Sequence, residues 1–220
     1  MNIKTTSNGA NFADRFKEFD PATIYESAGR SGMIDPSIRP AWSGAKLCGP
    51  VFTVKSAPGD NLMLHHAVAL AKPGSVIVAD IGSYMGAGAW GEILTVAAQA
   101  AGVAGLVVNG AVRDIEAIAQ RGFPVFSRGL AIGACTKERM GKLNVPLLFG
   151  DVMIHPGDIV LGDSDGLVLI ERENADAVYQ AAVSRHDNEQ KIIAELQRGK
   201  TTIEILNLPK LNDQEKVWAK

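Results

Sequence analysis

Residues 86–114 read GAGAWGEILTVAAQAAGVAGLVVNGAVRD. The segment opens with a glycine-rich loop and continues as a helix of small residues, Glu92–Ala101, that Gly102 ends. An apolar strand, Gly105–Asn109, follows, and the segment stops at Arg113-Asp114. An unbroken apolar run of this length reads as a strand buried on both faces, the habit of parallel sheets. Open α/β sheets take their ligands beyond the carboxyl ends of the strands. A cation beside an anion at that place therefore needs a reason. A glycine loop leading into a helix also offers backbone N–H groups at the positive end of the helix, which suits a carboxylate or phosphate. The expectation is that the Gly91 loop and Arg113-Asp114 converge on one small acidic substrate and one metal ion.

Outward from this segment, the chain alternates strands with helices about ten residues long, the α/β pattern. Asp20-Pro21-Ala22-Thr23 has the chemistry of a helix start, with Asp as cap and Pro in the first turn. Leu47–Val54 reads as a strand with an internal Gly-Pro break. Asn61–Ala71 reads as a helix capped by Asp60 or Asn61, and Ser75–Asp80 as a short buried strand ending in an acid. Asp114–Arg121 is expected to be a short helix and Pro124–Ser127 a strand. From about residue 128 the grammar changes: Asn144–Phe149, Ile159–Leu161 and Leu167–Ile170 are short strands between Pro-Gly-Asp and Asp-Gly turns. They are expected to form a β layer packed on the α/β layer within one domain. Asn174–Gln197 reads as a long helix with apolar stripes on both sides of a polar window, Ser184–Lys191, and a small helix begins at Thr201. Such a helix suits packing across a neighbouring subunit. Residues 1–12 and the tail after Pro209 are polar and read as loose.

The bulk numbers narrow the classes. With 220 residues the chain can bury a sizeable core. Its 46% hydrophobic and 21% charged content is ordinary for a globular protein. A net charge of −2, with scattered basic residues, gives no reason to expect nucleic acid. No apolar run approaches a membrane span, and the N-terminus lacks the apolar core of a signal peptide. Cys48 and Cys135 are two isolated cysteines, read as reduced thiols of a cytoplasmic protein.

Each motif has a plainer reading. Gly86-x-Gly88-x-x-Gly91 meets the dinucleotide spacing literally, but an Arg-Asp pair stands where a ribose-binding acid is needed, so nucleotide binding is disfavoured. Asp114 can simply cap a helix beside a solvated Arg113. With Glu92 at the start of the preceding helix, the balance shifts: an Arg fork holds an α-keto acid carboxylate, and a nearby carboxylate with waters is a usual site for Mg²⁺ or Mn²⁺. His65 and His66 read as one core and one surface residue, and His155 and His186 as structural, since no second ligand stands at metal spacing. Asp163-Ser164-Asp165-Gly166 reads as a tight turn, not a calcium loop. No serine has a nucleophile-elbow context.

The stretch GEILTVAAQAAGVAGLVVNGAVRDIEAI, with RGFPVFSRG after it, closely resembles the RraA-like family. Members include class II pyruvate aldolases acting on 4-hydroxy-4-methyl-2-oxoglutarate and 4-carboxy-4-hydroxy-2-oxoadipate. The resemblance extends to ATIYESAGRSGMIDPSIRPAWSGAKLCGPVFTV, PGDNLMLHHA and HPGDIVLGDSDGLVLI, and so covers most of residues 20–208. It implies a β/β/α swivelling-type single α/β domain over residues 1–172. Helices over 173–220 would pack on that domain or on a neighbouring subunit, and the assembly would be a homotrimer or homohexamer.

The resemblance also implies residue roles. Gly91, Glu92, Ile93 and Leu94 present backbone amides to a pyruvate moiety, and Arg113 contacts its carboxylate and keto oxygens. Asp114 binds Mg²⁺ or Mn²⁺. Glu92 occupies the acid position before the Arg-Asp pair, where the characterised aldolases usually carry Asp. An acid from a neighbour's C-terminal helix completes the site, with Glu189 the candidate and Asp187 next. The chemistry agrees: a Lewis acid and Arg113 stabilise a pyruvate enolate, and water held by acids such as Glu92 serves as base. No lysine lies within the motif, which disfavours a Schiff-base route. Oxaloacetate decarboxylation passes through the same enolate and is an expected side activity. The family's ribonuclease regulators lack the full Arg-Asp pair, so Asp114 favours an enzyme over a non-catalytic regulator. A methyltransferase is disfavoured, because no ribose-binding acid is present.

Overall fold

The structure, a computed structural model, describes residues 12–211. Of the polar termini expected to be loose, residues 1–11 and 212–220 therefore lie outside the described residues. Phe12 does not fit that expectation, because it begins a 3₁₀ turn over Phe12–Glu18. Helix α1 (Pro21–Ser27) starts where the sequence marks it: Asp20 accepts the Thr23 amide at 2.7 Å, with Pro21 in the first turn. Strands β1 (Arg39–Pro40) and β2 (Leu47–Lys55) precede α2 (Leu62–Leu70), and the unit repeats as β3 (Val76–Tyr84), α3 (Glu92–Ala100), β4 (Gly105–Val112), α4 (Ile115–Gln120) and β5 (Val125–Leu130). Beyond lie β6 (Lys142–Leu143), β7 (Leu147–Phe149), β8 (Val152–Ile154), β9 (Ile159–Asp163), β10 (Gly166–Ile170), α5 (Ala175–Gln197) and α6 (Thr202–Ile205).

The main sheet has the order β1-β5-β4-β3-β2-β9-β10, with β2 to β5 parallel and β6 paired to β2. The Gly-Pro break in β2 has a structural use. Leu47–Pro50 pair antiparallel with β9, and Val51–Lys55 pair parallel with β3. Here the expectation of a separate late β layer is corrected. β9 and β10 extend the main sheet through the first half of β2, and only the β7–β8 hairpin stands apart. The expected strand over Asn144–Phe149 is shortened to Leu147–Phe149, because Asn144 turns left-handed at φ 53° after β6.

Side chains alternate across the sheet at period two. Ile77, Ala79, Leu106 and Val108 face the layer of α2, α3 and α4. Val76, Val78, Val107 and Phe126 face Leu147, Phe149 and Ile154 of the hairpin segment. Full burial of each such aliphatic side chain contributes about 1.5–3 kcal/mol. A third cluster packs α1 and the 3₁₀ turn against β9, β10 and the first turns of α5. Beyond Ala182, α5 buries no further residue. No helix is long and apolar enough to cross a membrane among the described residues.

At the carboxyl edge of the sheet, on the hairpin face, a polar row is fully engaged. Asn109 donates to Asp80 at 2.9 Å, Lys55 pairs with Asp80, and Arg128 meets both Asn109 and Asp35. The free ends of β4 and the glycine loop lie on the other face, toward the helices.

Candidate active site

The glycine loop is stitched to the end of β4 by backbone. Ala89 N donates to Ala111 O at 2.9 Å, and Arg113 N donates to Trp90 O at 2.9 Å. Trp90 anchors the loop from below; it is fully buried, stacks on Phe123 and donates to Thr95 Oγ1 at 2.8 Å. Gly91 thereby comes to lie directly against Arg113 and Asp114. A Cβ at Gly91 would stand 2.3 Å from Asp114 Oδ2, and one at Gly88 would stand 2.7 Å from Arg113 Cβ. The two glycines are needed for close packing around the charged pair.

Asp114 occupies the N-cap position of α4 but does not cap it. Its backbone is left-handed (φ 57°, ψ 36°), a conformation that costs a non-glycine residue about 1 kcal/mol or more. The carboxylate crosses instead to the preceding helix, where Oδ2 accepts the Glu92 amide at 3.1 Å. The plain capping role is thus replaced by a bridge between two helix starts. Thr95 N is the first α3 donor bonded back, to Gly91 O. The amides of Ile93 and Leu94 therefore remain at the helix N-terminus without intrahelical partners. Arg113 Nε lies 3.7 Å from Asp114 Oδ2.

Glu92 turns the other way. Its Oε1 accepts from Arg121 Nε at 3.0 Å and Nη2 at 2.6 Å, across 29 residues of sequence. No local pattern marks that partner, because it is reached only in the fold. Glu189 sits on α5 and pairs with Arg185 at 2.9 Å. Arg185 also meets Glu26 of α1. Neither Glu189 nor Asp187 reaches Asp114 within one chain, since neither lines the clefts beside it. Among the described residues no group of three His, Cys, Asp or Glu side chains is placed to hold a metal.

Two clefts share Arg113 and Asp114. The smaller, of about 100 Å³, is lined by Gly91, Ile93 and Leu94 and also by Asn61, His65, Cys135 and Lys137. That volume suits a head group of a few heavy atoms. Asn61 Nδ2 donates to Ala89 O at 2.9 Å, while Asn61 Oδ1 and His65 Nε2 are buried without hydrogen-bond partners among the described residues. Burial pushes the His65 pKa down, helped by the charges of Lys137 and His66. Burial pushes the Cys135 thiol up. The larger cleft, of about 770 Å³, is open and runs past Glu92 and Glu116 to Leu130 and Ile132.

One loop wall of the small cleft is held by a single buried carboxylate. Asp60, 1% exposed, accepts from Leu62 N at 2.9 Å, Thr136 Oγ1 at 2.7 Å, Glu138 N at 2.7 Å and Arg139 N at 3.2 Å. Burial acts to raise its pKa, and these hydrogen bonds overcome it, lowering the pKa to about 2. This bridge delivers Lys137 to the cleft.

Lys137, Asn61 and His65 were not found from sequence. In sequence His65 reads as an ordinary helix residue, and the lack of a lysine within the motif speaks against a Schiff-base route. That ground is corrected, because Lys137 arrives from a separate loop. His155 and His186 lie away from both clefts, Asp163–Gly166 is the β9–β10 turn, and both cysteines are free.

A relative from Halalkalibacterium halodurans, provisionally named a 4-hydroxy-4-methyl-2-oxoglutarate aldolase, is 34% identical over 179 residues, spanning 81% of this chain and 85% of its own. A solved structure of an uncharacterized protein from Pseudomonas syringae pv. tomato superposes with a TM-score of 0.79 at 28% identity, covering 89% of this chain and 96% of that one. The RNA-processing inhibitor RraA from Thermus thermophilis superposes with a TM-score of 0.64 at 26% identity, over 69% of this chain and 92% of its own. The RraA-like family profile, described as Aldolase/RraA, matches residues 11–169, and the chain belongs to that family.

Proposed function

We propose that this protein is a divalent-metal-dependent aldolase that releases pyruvate from a 4-hydroxy-2-oxo acid. The observation that carries the reading is the bridge at the end of β4. A left-handed Asp114 holds the start of α3, with Arg113 beside it, between a small cation-lined cleft and a large open one.

In this reading the carboxylate and keto oxygens of the substrate enter the small cleft. The amides of Ile93 and Leu94 and the Arg113 fork bind them, and Lys137 adds a second cation. Asp114 fits a hard cation. Its Oδ2 is taken by Glu92 N and its Oδ1 has no hydrogen bond among the described residues, so one oxygen is left for a hydrated Mg²⁺ or Mn²⁺. Bound there, such an ion would act as a Lewis acid toward the keto oxygen. Arg113 places positive charge where the enolate oxygen develops. Glu92, fixed by Arg121, faces the larger cleft and takes the C4 hydroxyl proton through water. Glu189 of a second copy supplies a further acid in a homotrimer or homohexamer working in the cytoplasm.

A coupled pyruvate-release assay tests this. It uses 4-hydroxy-2-oxo acids and oxaloacetate, with and without Mg²⁺ or Mn²⁺. Metal-dependent release is expected. Release from none of them would sink the reading and favour a non-catalytic regulator, since the RraA relative is described as an RNA-processing inhibitor.

A further inference from the structure

We infer that Arg121 is a positioning residue for Glu92, and that the two side chains act as one unit in aldol cleavage. This rests on the aldolase reading above, in which Glu92 takes the C4 hydroxyl proton through water. It adds what holds that carboxylate in place.

The helices α3 and α4 both begin at the charged centre and are tied at both ends. Asp114 joins their starts through the Glu92 amide. Gln99 joins their ends, donating from Nε2 to Arg121 O at 3.0 Å. Arg121 N in turn donates to Ala117 O at 3.2 Å, so the Arg121 backbone is held on both sides. Side chains of a helix lean toward its N-terminus. From the end of α4 the Arg121 side chain thus runs back toward the helix starts. There its Nε and Nη2 close on one oxygen of Glu92, Oε1. Glu92 Oε2 has no hydrogen bond among the described residues and is the oxygen left to accept a proton. Glu92 lines the larger cleft and Arg121 does not, so Arg121 stands behind the carboxylate and acts through it. Both ends of this clamp belong to one chain, so every copy carries it, whatever a neighbouring copy adds to the cleft.

Stability is a poor reason for such a clamp. Its side chains are 40% and 42% exposed, and exposed ion pairs add little to folding. Positioning is a better one. A glutamate free to rotate must give up several rotamers to face its proton, and a guanidinium gripping one oxygen with two donors settles that in advance.

Two reactions separate positioning from a merely structural role. In aldol cleavage the C4 hydroxyl proton passes through water to Glu92 and the C3–C4 bond breaks. The electron pair of that bond becomes the pyruvate enolate, and C4 is left as a carbonyl. Oxaloacetate loses CO₂ to the same enolate with no hydroxyl proton to remove. In both cases the enolate then takes a proton at C3, and in the first Glu92 returns its own to water.

The test follows pyruvate release from a 4-hydroxy-2-oxo acid and from oxaloacetate, with saturating Mg²⁺, together with melting temperature. It compares wild type, Arg121→Ala, Arg121→Lys, Glu92→Gln and the double variant of Glu92→Gln with Arg121→Ala. Arg121→Ala is expected to lower kcat for aldol cleavage about tenfold more than kcat for decarboxylation, with KM and melting temperature changed little. Arg121→Lys should recover part of that loss. In the Glu92→Gln background, Arg121→Ala should cost nothing further. Equal losses in the two reactions, no loss at all, or a further loss in the double variant would each overturn the inference and leave the aldolase reading standing. A wild type that cleaves none of the 4-hydroxy-2-oxo acids overturns both.

Discussion

The two clefts that meet at Arg113-Asp114 are built from different materials. The small one is walled by a helix N-terminus, a glycine loop and a loop pinned by Asp60, and its polar groups come from α2, α3, β4 and the 133–139 segment. The large one is walled by a short helix and the open end of β5, and nearly all of its side chains are exposed or half-buried. Amides at a helix start set by close-packed glycines, beside a loop that a buried carboxylate pins, can recognise one head group of fixed shape. In the proposed aldolase, side chains on a short helix and a loop would meet the tail, and they can be exchanged without disturbing the fold. Division of labour between a rigid head site and a variable tail site is what the contrast teaches.

The contrast breaks most severely if the shared wall is removed. Asp114→Asn keeps a residue tolerated in the left-handed region and keeps an acceptor for Glu92 N. Pyruvate release is expected to fall about 10³-fold. The melting temperature should stay nearly unchanged, because the lost group acts on the chemistry and not on the fold. Gly91→Ala strikes the same wall from the other side. Its Cβ meets Asp114 Oδ2 at 2.3 Å, so the carboxylate must move. A fall of about 10²-fold in kcat/KM is expected, the cost of a displacement near 1 Å in an active site.

The pinned loop offers a pH test of the small cleft alone. The Asp60 pKa of about 2 lies below its unfolded value, so its stabilisation is fully present above about pH 4 and is lost as pH falls through about 2. Urea unfolding of the wild type and Asp60→Asn should differ by about 2 kcal/mol at pH 7 and converge toward pH 2. Equal stabilities at pH 7 would show that Asp60 does not hold the loop. The smallest effect is expected at Lys137. Lys137→Ala should raise KM about tenfold with kcat changed less, the mark of a binding cation. Borohydride with pyruvate should leave the wild type active. Trapping of a covalent adduct would move Lys137 from binding to Schiff-base chemistry.

Much of this architecture was legible in sequence, for identifiable reasons. Arg113-Asp114 stood out because two unlike charges follow an apolar strand directly, and the helix start at Asp20-Pro21 because cap chemistry is local. The Gly91 loop was legible as a helix entry, while its reason for being glycine, contact with Asp114, depends on a residue 23 positions away. Lys137, Asn61 and His65 were not legible as one group, since α2 and the 133–139 loop meet only in space. The Glu92–Arg121 pair was hidden for the same cause. The joining of β9 to the main sheet was hidden because a strand that exchanges partners just after Gly49-Pro50 looks, in sequence, like one strand with a flaw.

The central claim is that Arg113-Asp114 is the metal-assisted centre of a pyruvate-releasing enzyme. Its most direct test is pyruvate release from a 4-hydroxy-2-oxo acid by wild type and Asp114→Asn side by side, after chelation and again after Mg²⁺ is restored. Release by the wild type alone, and only with Mg²⁺ present, is the predicted result. Equal release by both proteins, or release that survives chelation, would contradict it.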